Sequence, residues 1–317
     1  MKLTIVGAGS WGSAFAALLR DRGHDVTLAC RDPEHARAIR DAHRNDRYLP
    51  RLDLSGIATT TTAELRDDAE VVVLAVPSKA FADVAARIPG RAPVLSLTKG
   101  LDPATGDRLS LHVGDRPVAV LSGPNMADEV AAGLPTAAVI ACEDGRLAGR
   151  LQHAINSTAF RIYVNPDVVG VELCAAAKNV IALAAGGVDG LRLGDNAKAA
   201  LITRGLAEMS RLGEAAGAQP ETFAGLAGMG DLIVTCSHAH GRNRRAGELI
   251  AAGRSAAEAA AEIGQTVEGL TTAPVLRDLS HRLGVELPIT EGVCAVLSGQ
   301  NLTELVARLM GREPTEE

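Results

Sequence analysis

Over its first half the chain alternates short, almost unbroken apolar runs with longer amphipathic stretches. The runs occupy residues 3–6, 26–29, 71–76, 94–97, 118–121 and 137–141. A strand with one wet face alternates polar and apolar side chains. A strand apolar throughout is covered on both faces, as in a parallel sheet flanked by helices. Intervening stretches such as 13–22 have helical length, and the β–α alternation predicts a doubly wound α/β sheet. Ligands of such sheets bind beyond the carboxyl ends of the strands. That rule singles out Pro77-Ser78, Thr98-Lys99-Gly100 and Ser122-Gly123-Pro124-Asn125.

Residues 161–164 read as a last strand, closed by Asn165-Pro166. Beyond it the period changes. Residues 168–185, 196–217, 242–252, 256–263 and 271–283 have helical length and spacing, with Ile202, Leu206, Met209 and Ala216 on one face. The expected organisation is a sheet domain over 1–165 and an all-helical C-terminal domain over 166–317. The tail 313–317 reads as disordered.

The turn after the first run is the most informative segment. Gly7-Ala8-Gly9-Ser10-Trp11-Gly12 follows a strand and opens a helix, the context in which Gly-x-Gly-x-x-Gly binds a dinucleotide. The first glycine makes the tight turn, the second lets a pyrophosphate approach the backbone, and the third lets helix and strand pack closely. The free N–H groups and positive dipole end of the helix favour phosphate. The N-terminal domain is therefore expected to be of Rossmann type. The second run is followed by Cys30-Arg31-Asp32. An acid at that place suits the ribose 2′-hydroxyl of NADH, and an arginine the 2′-phosphate of NADPH. Arg31 stands where the acid belongs, so NADPH is expected ahead of NADH, with ordinary loop charges as the plainer alternative.

Composition narrows the partners. A net charge of −6, with four Phe, two Tyr and one Trp, argues against nucleic-acid binding. Cys30, Cys142, Cys174, Cys236 and Cys294 are scattered without a Cys-x-x-Cys, which reads as reduced thiols in a cytoplasmic protein. Cys236, His238 and His240 lack a fourth ligand and a standard spacing, so no metal site is expected. Met1-Lys2 runs directly into the first strand, and Lys178 interrupts the longest apolar run. Neither a signal peptide nor stable membrane insertion is expected.

Lys178 lies within 173–183, a stretch apolar on every side and therefore expected to be buried. Desolvation favours a neutral amine and moves a lysine toward the range an acid/base needs on an alcohol–ketone pair. The plainer alternative is an ammonium that reaches solvent along its stem. Asn179 is a second polar residue in the same run. Gly225 to Gly230 lead to Asp231, which either holds Lys178, bonds a substrate hydroxyl, or caps a turn. Gly241-Arg242-Asn243-Arg244-Arg245 opens a helix. Arginines there oppose the helix dipole unless an anion binds among them, the alternative being a solvated basic turn. Lys99 is a second candidate for an anion. Together these features describe a nicotinamide-dependent reductase or dehydrogenase acting on a small phosphorylated ketone or alcohol.

These segments, with Tyr48-Leu49-Pro50, Ser96 to Gly100, Glu172 to Val180, Asp189-Gly190, Asn196 to Leu206, Gly225 to Cys236 and Val267-Glu268-Gly269, resemble the bacterial NAD(P)-dependent glycerol-3-phosphate dehydrogenase family nearly end to end. The resemblance implies reduction of dihydroxyacetone phosphate to sn-glycerol 3-phosphate, the backbone of phospholipid synthesis. It implies Lys178 as the acid/base that protonates the developing alkoxide, with Asp231 as a catalytic companion. Substrate contacts carry over to Lys99, Gly123, Asn125, Lys178, Asn179, Asp231, Thr235, Gly241, Arg242 and Asn243. Cofactor contacts fall on Gly7, Gly9, Ser10, Trp11, Gly12, Arg31, Tyr48, Lys99, Ala127, Arg242, Thr266 and Glu268. The chain departs from the family pattern in two places. Gly241 stands where a serine is common, and Asn125-Met126 where Ser-Phe is frequent. A homodimer is expected because symmetric dimers are the commonest oligomers. The competing readings are a related keto- or hydroxy-acid reductase and a non-catalytic NAD(P)H-sensing regulator.

Overall fold

The computed structural model describes residues 1–310; the tail 313–317 expected to be disordered lies outside the described residues. The chain forms two compact units, Met1–Ala175 with Ala218–Asp231, and Ala176–Gly217 with the stretch from Leu232 onward.

The sheet belongs to the first unit. In chain order its elements are β1 (Lys2–Val6), α1 (Ser10–Asp21), β2 (Asp25–Cys30), α2 (Pro33–Ala42), β3 (Ala58–Thr61), β4 (Val71–Leu74), α3 (Ser78–Ala85), β5 (Val94–Ser96), β6 (Val118–Ser122), α4 (Ala127–Ala131), β7 (Thr136–Ala141), α5 (Gly145–Ile155) and β8 (Phe160–Asn165). The strand order is β3-β2-β1-β4-β5-β6-β7-β8. The chain runs outward from β1 to β3 and then returns to β4 on the other side of β1. That reversal opens a crevice at the carboxyl ends of β1 and β4, where ligands of such sheets bind.

Both faces of the sheet are covered, which explains the unbroken apolar runs. Leu3, Ile5, Leu28 and Val73 pack with Phe15 of α1 in one core cluster, whereas Val6, Ala29, Val72 and Leu74 pack with Phe81 of α3 in another. Successive side chains of one strand therefore enter opposite cores. Two features differ from the sequence expectation. β7 runs antiparallel to β6, pairing Val120 with Ala141; burial on both faces makes a strand apolar whichever way it points. β3, Ala-Thr-Thr-Thr, is a half-exposed edge strand with no apolar run to announce it.

From Val168 on the described chain is helical: α6 (Val168–Gly190), α7 (Asp195–Ala215), α8 (Pro220–Ala224), α9 (Asp231–Ser237), α10 (Arg242–Ala251), α11 (Ala256–Ile263), α12 (Glu268–Leu283), α13 (Pro288–Leu297) and α14 (Leu302–Met310). α6 is long and apolar enough to cross a membrane by length and composition, but its most apolar window is 89% buried, as in the core helix of a folded domain. Lys178 interrupts the apolar run without interrupting the helix. The buried stripe of α7 is Gly205, Glu208, Met209, Leu212 and Gly213. Of the face expected from sequence only Met209 belongs to it, and an acid occupies its middle.

Candidate active site

The three glycines of the first turn have three different surroundings. Gly7 has φ 117°, and a Cβ there would lie 2.4 Å from the Ala75 carbonyl oxygen; at Gly12 it would lie 1.9 Å from that of Gly7. At Gly9 nothing lies within 4 Å. The protein itself requires the first and third glycines, while the second leaves bare backbone that a ligand can approach. Gly9 also precedes α1 without offering a side-chain cap, so a phosphate can take the N–H groups of the first turn. The Trp11 ring packs 5.5 Å from Phe15 and 6.3 Å from Phe160. Its buried indole N–H has no hydrogen-bond partner among the described residues. These features fit a dinucleotide.

At the end of β2 the two charges divide their work. Asp32 accepts from the Glu34 N–H at 2.9 Å and caps α2, and Arg31 stands exposed beside it. Tyr48 is half-buried, with the His35 ring 5.9 Å away and the Arg47 guanidinium 5.4 Å from its ring. Ala127 opens α4.

Past the ends of β5 and β6, Lys99 Nζ donates to Asp231 Oδ2 at 2.8 Å, to Asn125 Oδ1 at 3.0 Å and to the Gly123 carbonyl at 3.1 Å. The Asp231 side chain is 1% exposed, and the Ser122 hydroxyl donates to it at 3.4 Å. A single π-helical turn, Leu226–Gly230, delivers this acid. A Cβ at Gly228 would come within 2.1 Å of the Phe223 carbonyl oxygen, so the glycines allow that turn to close. An ammonium can only donate, so Asn125 faces Lys99 with its oxygen. Its amide nitrogen is left buried and without a partner among the described residues. Glu172, 4% exposed, anchors the start of α6 through the Ser110 N–H at 2.8 Å and Arg108 at 3.0 Å; burial pushes its carboxyl up.

In the second unit Lys178 is 4% exposed and donates to the Thr235 hydroxyl at 2.9 Å. Asn179 accepts from the Asn243 amide at 2.9 Å, and Asn243 accepts from the Gly269 N–H at 2.8 Å. Arg242 donates to the Thr266 carbonyl at 2.9 Å, and Glu268 opens α12. The neighbouring arginines are engaged elsewhere. Arg244 pairs with Asp189 at 2.6 Å and Glu248 at 2.8 Å, and Arg245 lies 3.7 Å from Glu262. Burial raises the Asp189 carboxyl, but hydrogen bonds from Lys198 and Arg244 outweigh it and hold the group below its ordinary value. Gly241 precedes α10, and a Cβ there would meet the His238 carbonyl oxygen at 3.1 Å, so a serine fits only tightly.

Comparison with known proteins settles the family. Residues 2–148 match the N-terminal model of NAD-dependent glycerol-3-phosphate dehydrogenase, and residues 167–307 match the C-terminal model. The chain belongs to the NAD-dependent glycerol-3-phosphate dehydrogenase family. It is similar to the glycerol-3-phosphate dehydrogenase [NAD(P)+] of Bacillus cytotoxicus, at 44% identity across 98% of this chain and 95% of the relative. The crystal structure of glycerol-3-phosphate dehydrogenase from Coxiella burnetii is 38% identical, covers 98% of this chain and 99% of its own, and superposes with a TM-score of 0.93. A ketopantoate reductase from Ralstonia eutropha covers 96% of this chain and all of its own, at 18% identity and a TM-score of 0.61; it shares the fold alone.

Within this member of the glycerol-3-phosphate dehydrogenase family, the first unit brings together Lys99, Gly123, Asn125 and Asp231, and gathers Gly7, Gly9, Ser10, Trp11 and Gly12 in one turn. The second brings Lys178 to Thr235, Asn179 to Asn243, and Arg242 to Thr266. Asn45, fully buried behind the glycine turn, was not singled out by sequence. Its only signal there is its place three residues before Tyr48.

Proposed function

We propose that this protein reduces dihydroxyacetone phosphate to sn-glycerol 3-phosphate, using NADPH ahead of NADH, and so supplies the backbone of phospholipid synthesis. The observation that carries the reading is Lys178, an amine 4% exposed in the apolar stretch 173–183 apart from Asn179, and held by a threonine hydroxyl. The name borne by relatives 44% identical over the chain supports the substrate. The reduced nicotinamide, when bound, supplies a hydride. Lys178 gives its proton to the oxygen that becomes the alcohol and stabilises the charge developing there. Lys99, Gly123, Asn125, Asn179, Asp231, Thr235 and Asn243 hold the substrate. Arg242 is the phosphate ligand of the basic run, the place that the family resemblance gives it at the start of α10. Arg31 takes the 2′-phosphate, since Asp32 is committed to capping α2. Scattered cysteines support a cytoplasmic enzyme, and the prevalence of two-fold symmetry supports a homodimer.

The test follows loss of reduced-nicotinamide absorbance with dihydroxyacetone phosphate for the wild type and Lys178→Ala. The wild type should turn over. The variant should lose roughly two to four orders of magnitude in kcat while still binding NADPH. A wild type inert toward this ketone, or an undiminished variant, would overturn the proposal.

A further inference from the structure

Asn45 is 0% exposed and lies between α2 and β3. Its side-chain nitrogen donates to the Ala8 carbonyl and to the Ser13 hydroxyl, each at 2.9 Å, and its oxygen faces His35 Nε2 at 2.9 Å. A carbonyl can only accept, so the nitrogen must face Ala8, and the orientation of the amide is settled. The oxygen then accepts from His35, whose Nε2 carries a hydrogen. The backbone carbonyl of the same residue accepts from the N–H groups of Tyr48 at 3.1 Å and Leu49 at 2.9 Å. One side chain and its own carbonyl therefore tie together the glycine turn, the first turns of α1, α2, and the turn that bears Tyr48. Ala8 sits between Gly7, whose conformation the fold dictates, and Gly9, whose backbone is open to a ligand.

We propose that Asn45 is a positioning residue for the dinucleotide, acting through Ala8, Ser13 and Tyr48, a role that rests on reading this unit as the NAD(P)H site. A fully satisfied buried polar network fixes one geometry, and removing its hub orphans every partner at once. Asn45→Ala frees the Ala8 carbonyl and loosens the turn. Asn45→Asp keeps the shape but, when ionised, sets a carboxylate oxygen against that carbonyl; protonation restores one donor.

The experiment titrates full-length wild type, Asn45→Ala and Asn45→Asp with NADPH and NADH by calorimetry. It adds steady-state kinetics and thermal melting. Asn45→Ala should weaken both dinucleotides by about tenfold or more and raise the KM for NADPH, leaving the KM for dihydroxyacetone phosphate near its wild-type value. Asn45→Asp should recover affinity, relative to the wild type at the same pH, as pH falls toward the carboxylate range. Unchanged cofactor affinity in both variants of a binding-competent wild type would overturn this inference alone. So would a lower melting temperature accompanied by equal shifts in both KM values. A wild type that binds neither dinucleotide would overturn the cofactor reading and this inference with it.

Discussion

Replacing Glu208 with Gln should remove a pH-dependent penalty from the second unit. Glu208 of α7 is 3% exposed and accepts from the N–H of Ile289 and from the N–H and hydroxyl of Thr290. Leu287 precedes α13 and offers no side-chain cap, so a distant carboxylate satisfies the first N–H groups of that helix instead. Burial nevertheless raises the carboxyl from 4.5 to about 6, against the pull of those hydrogen bonds. Because the folded pKa lies above the unfolded one, the folded chain binds more protons between these values. The stabilisation is therefore full below the window and is lost as pH rises through about 6. At 1.36 kcal/mol per pKa unit, that gap corresponds to roughly 2 kcal/mol lost by neutrality. Gln keeps an acceptor oxygen for α13 and has no charge to desolvate. Urea unfolding of both proteins from about pH 4.5 to neutrality should show the variant gaining roughly 2 kcal/mol on the wild type. A stability difference that stays flat with pH, or moves the other way, would refute the reasoning.

Two further predictions concern the cofactor turn and its specificity. Gly12→Ala drives a Cβ into the Gly7 carbonyl and should lower the melting temperature, at a cost of about 1–3 kcal/mol or more. Gly9→Ala meets open space and should melt like the wild type while losing NADPH affinity; calorimetry showing normal affinity would mean that no phosphate sits there. Arg31→Ala should raise the KM for NADPH by roughly ten- to a hundredfold, the worth of a charge-assisted hydrogen bond, and leave that for NADH nearly unchanged. Equal loss with both cofactors would place the 2′-phosphate elsewhere.

The sheet was legible because its strands are buried on both faces, and burial writes itself directly into composition. Strand direction was not, since β7 needs the same apolar residues whether parallel or antiparallel. The glycine turn was legible because two of its three glycines answer to neighbours close by in the fold, at Gly7 and Ala75. The burial of Lys178 was legible because it is the one charge in the apolar stretch 173–183. Glu208 and Asn45 were not, because their meaning lies in partners 81 or 82 and 37 residues away. Local spacing misled most at the basic run. Arg242, Arg244 and Arg245 read as one anion site, yet Arg244 turns to Asp189, 55 residues earlier.

That distant pairing follows from how closely α10 lies on α6. A Cβ added at Gly247 would fall 2.0 Å from the Leu183 carbonyl oxygen, and one at Gly186 would fall 1.8 Å from that of Arg244. The two backbones therefore touch where neither carries a side chain. With α10 held at that distance, Asn243, one turn before Gly247, reaches Asn179, two turns before Gly186. Gly269 then closes from the third side: its N–H meets Asn243, and a Cβ there would lie 2.6 Å from the Asn179 carbonyl oxygen. Three missing side chains thus allow Asn179, the residue after Lys178, to pair with Asn243. The residue that follows the lysine is thereby held by a polar contact within a buried stretch of α6, because the backbones around it come so close.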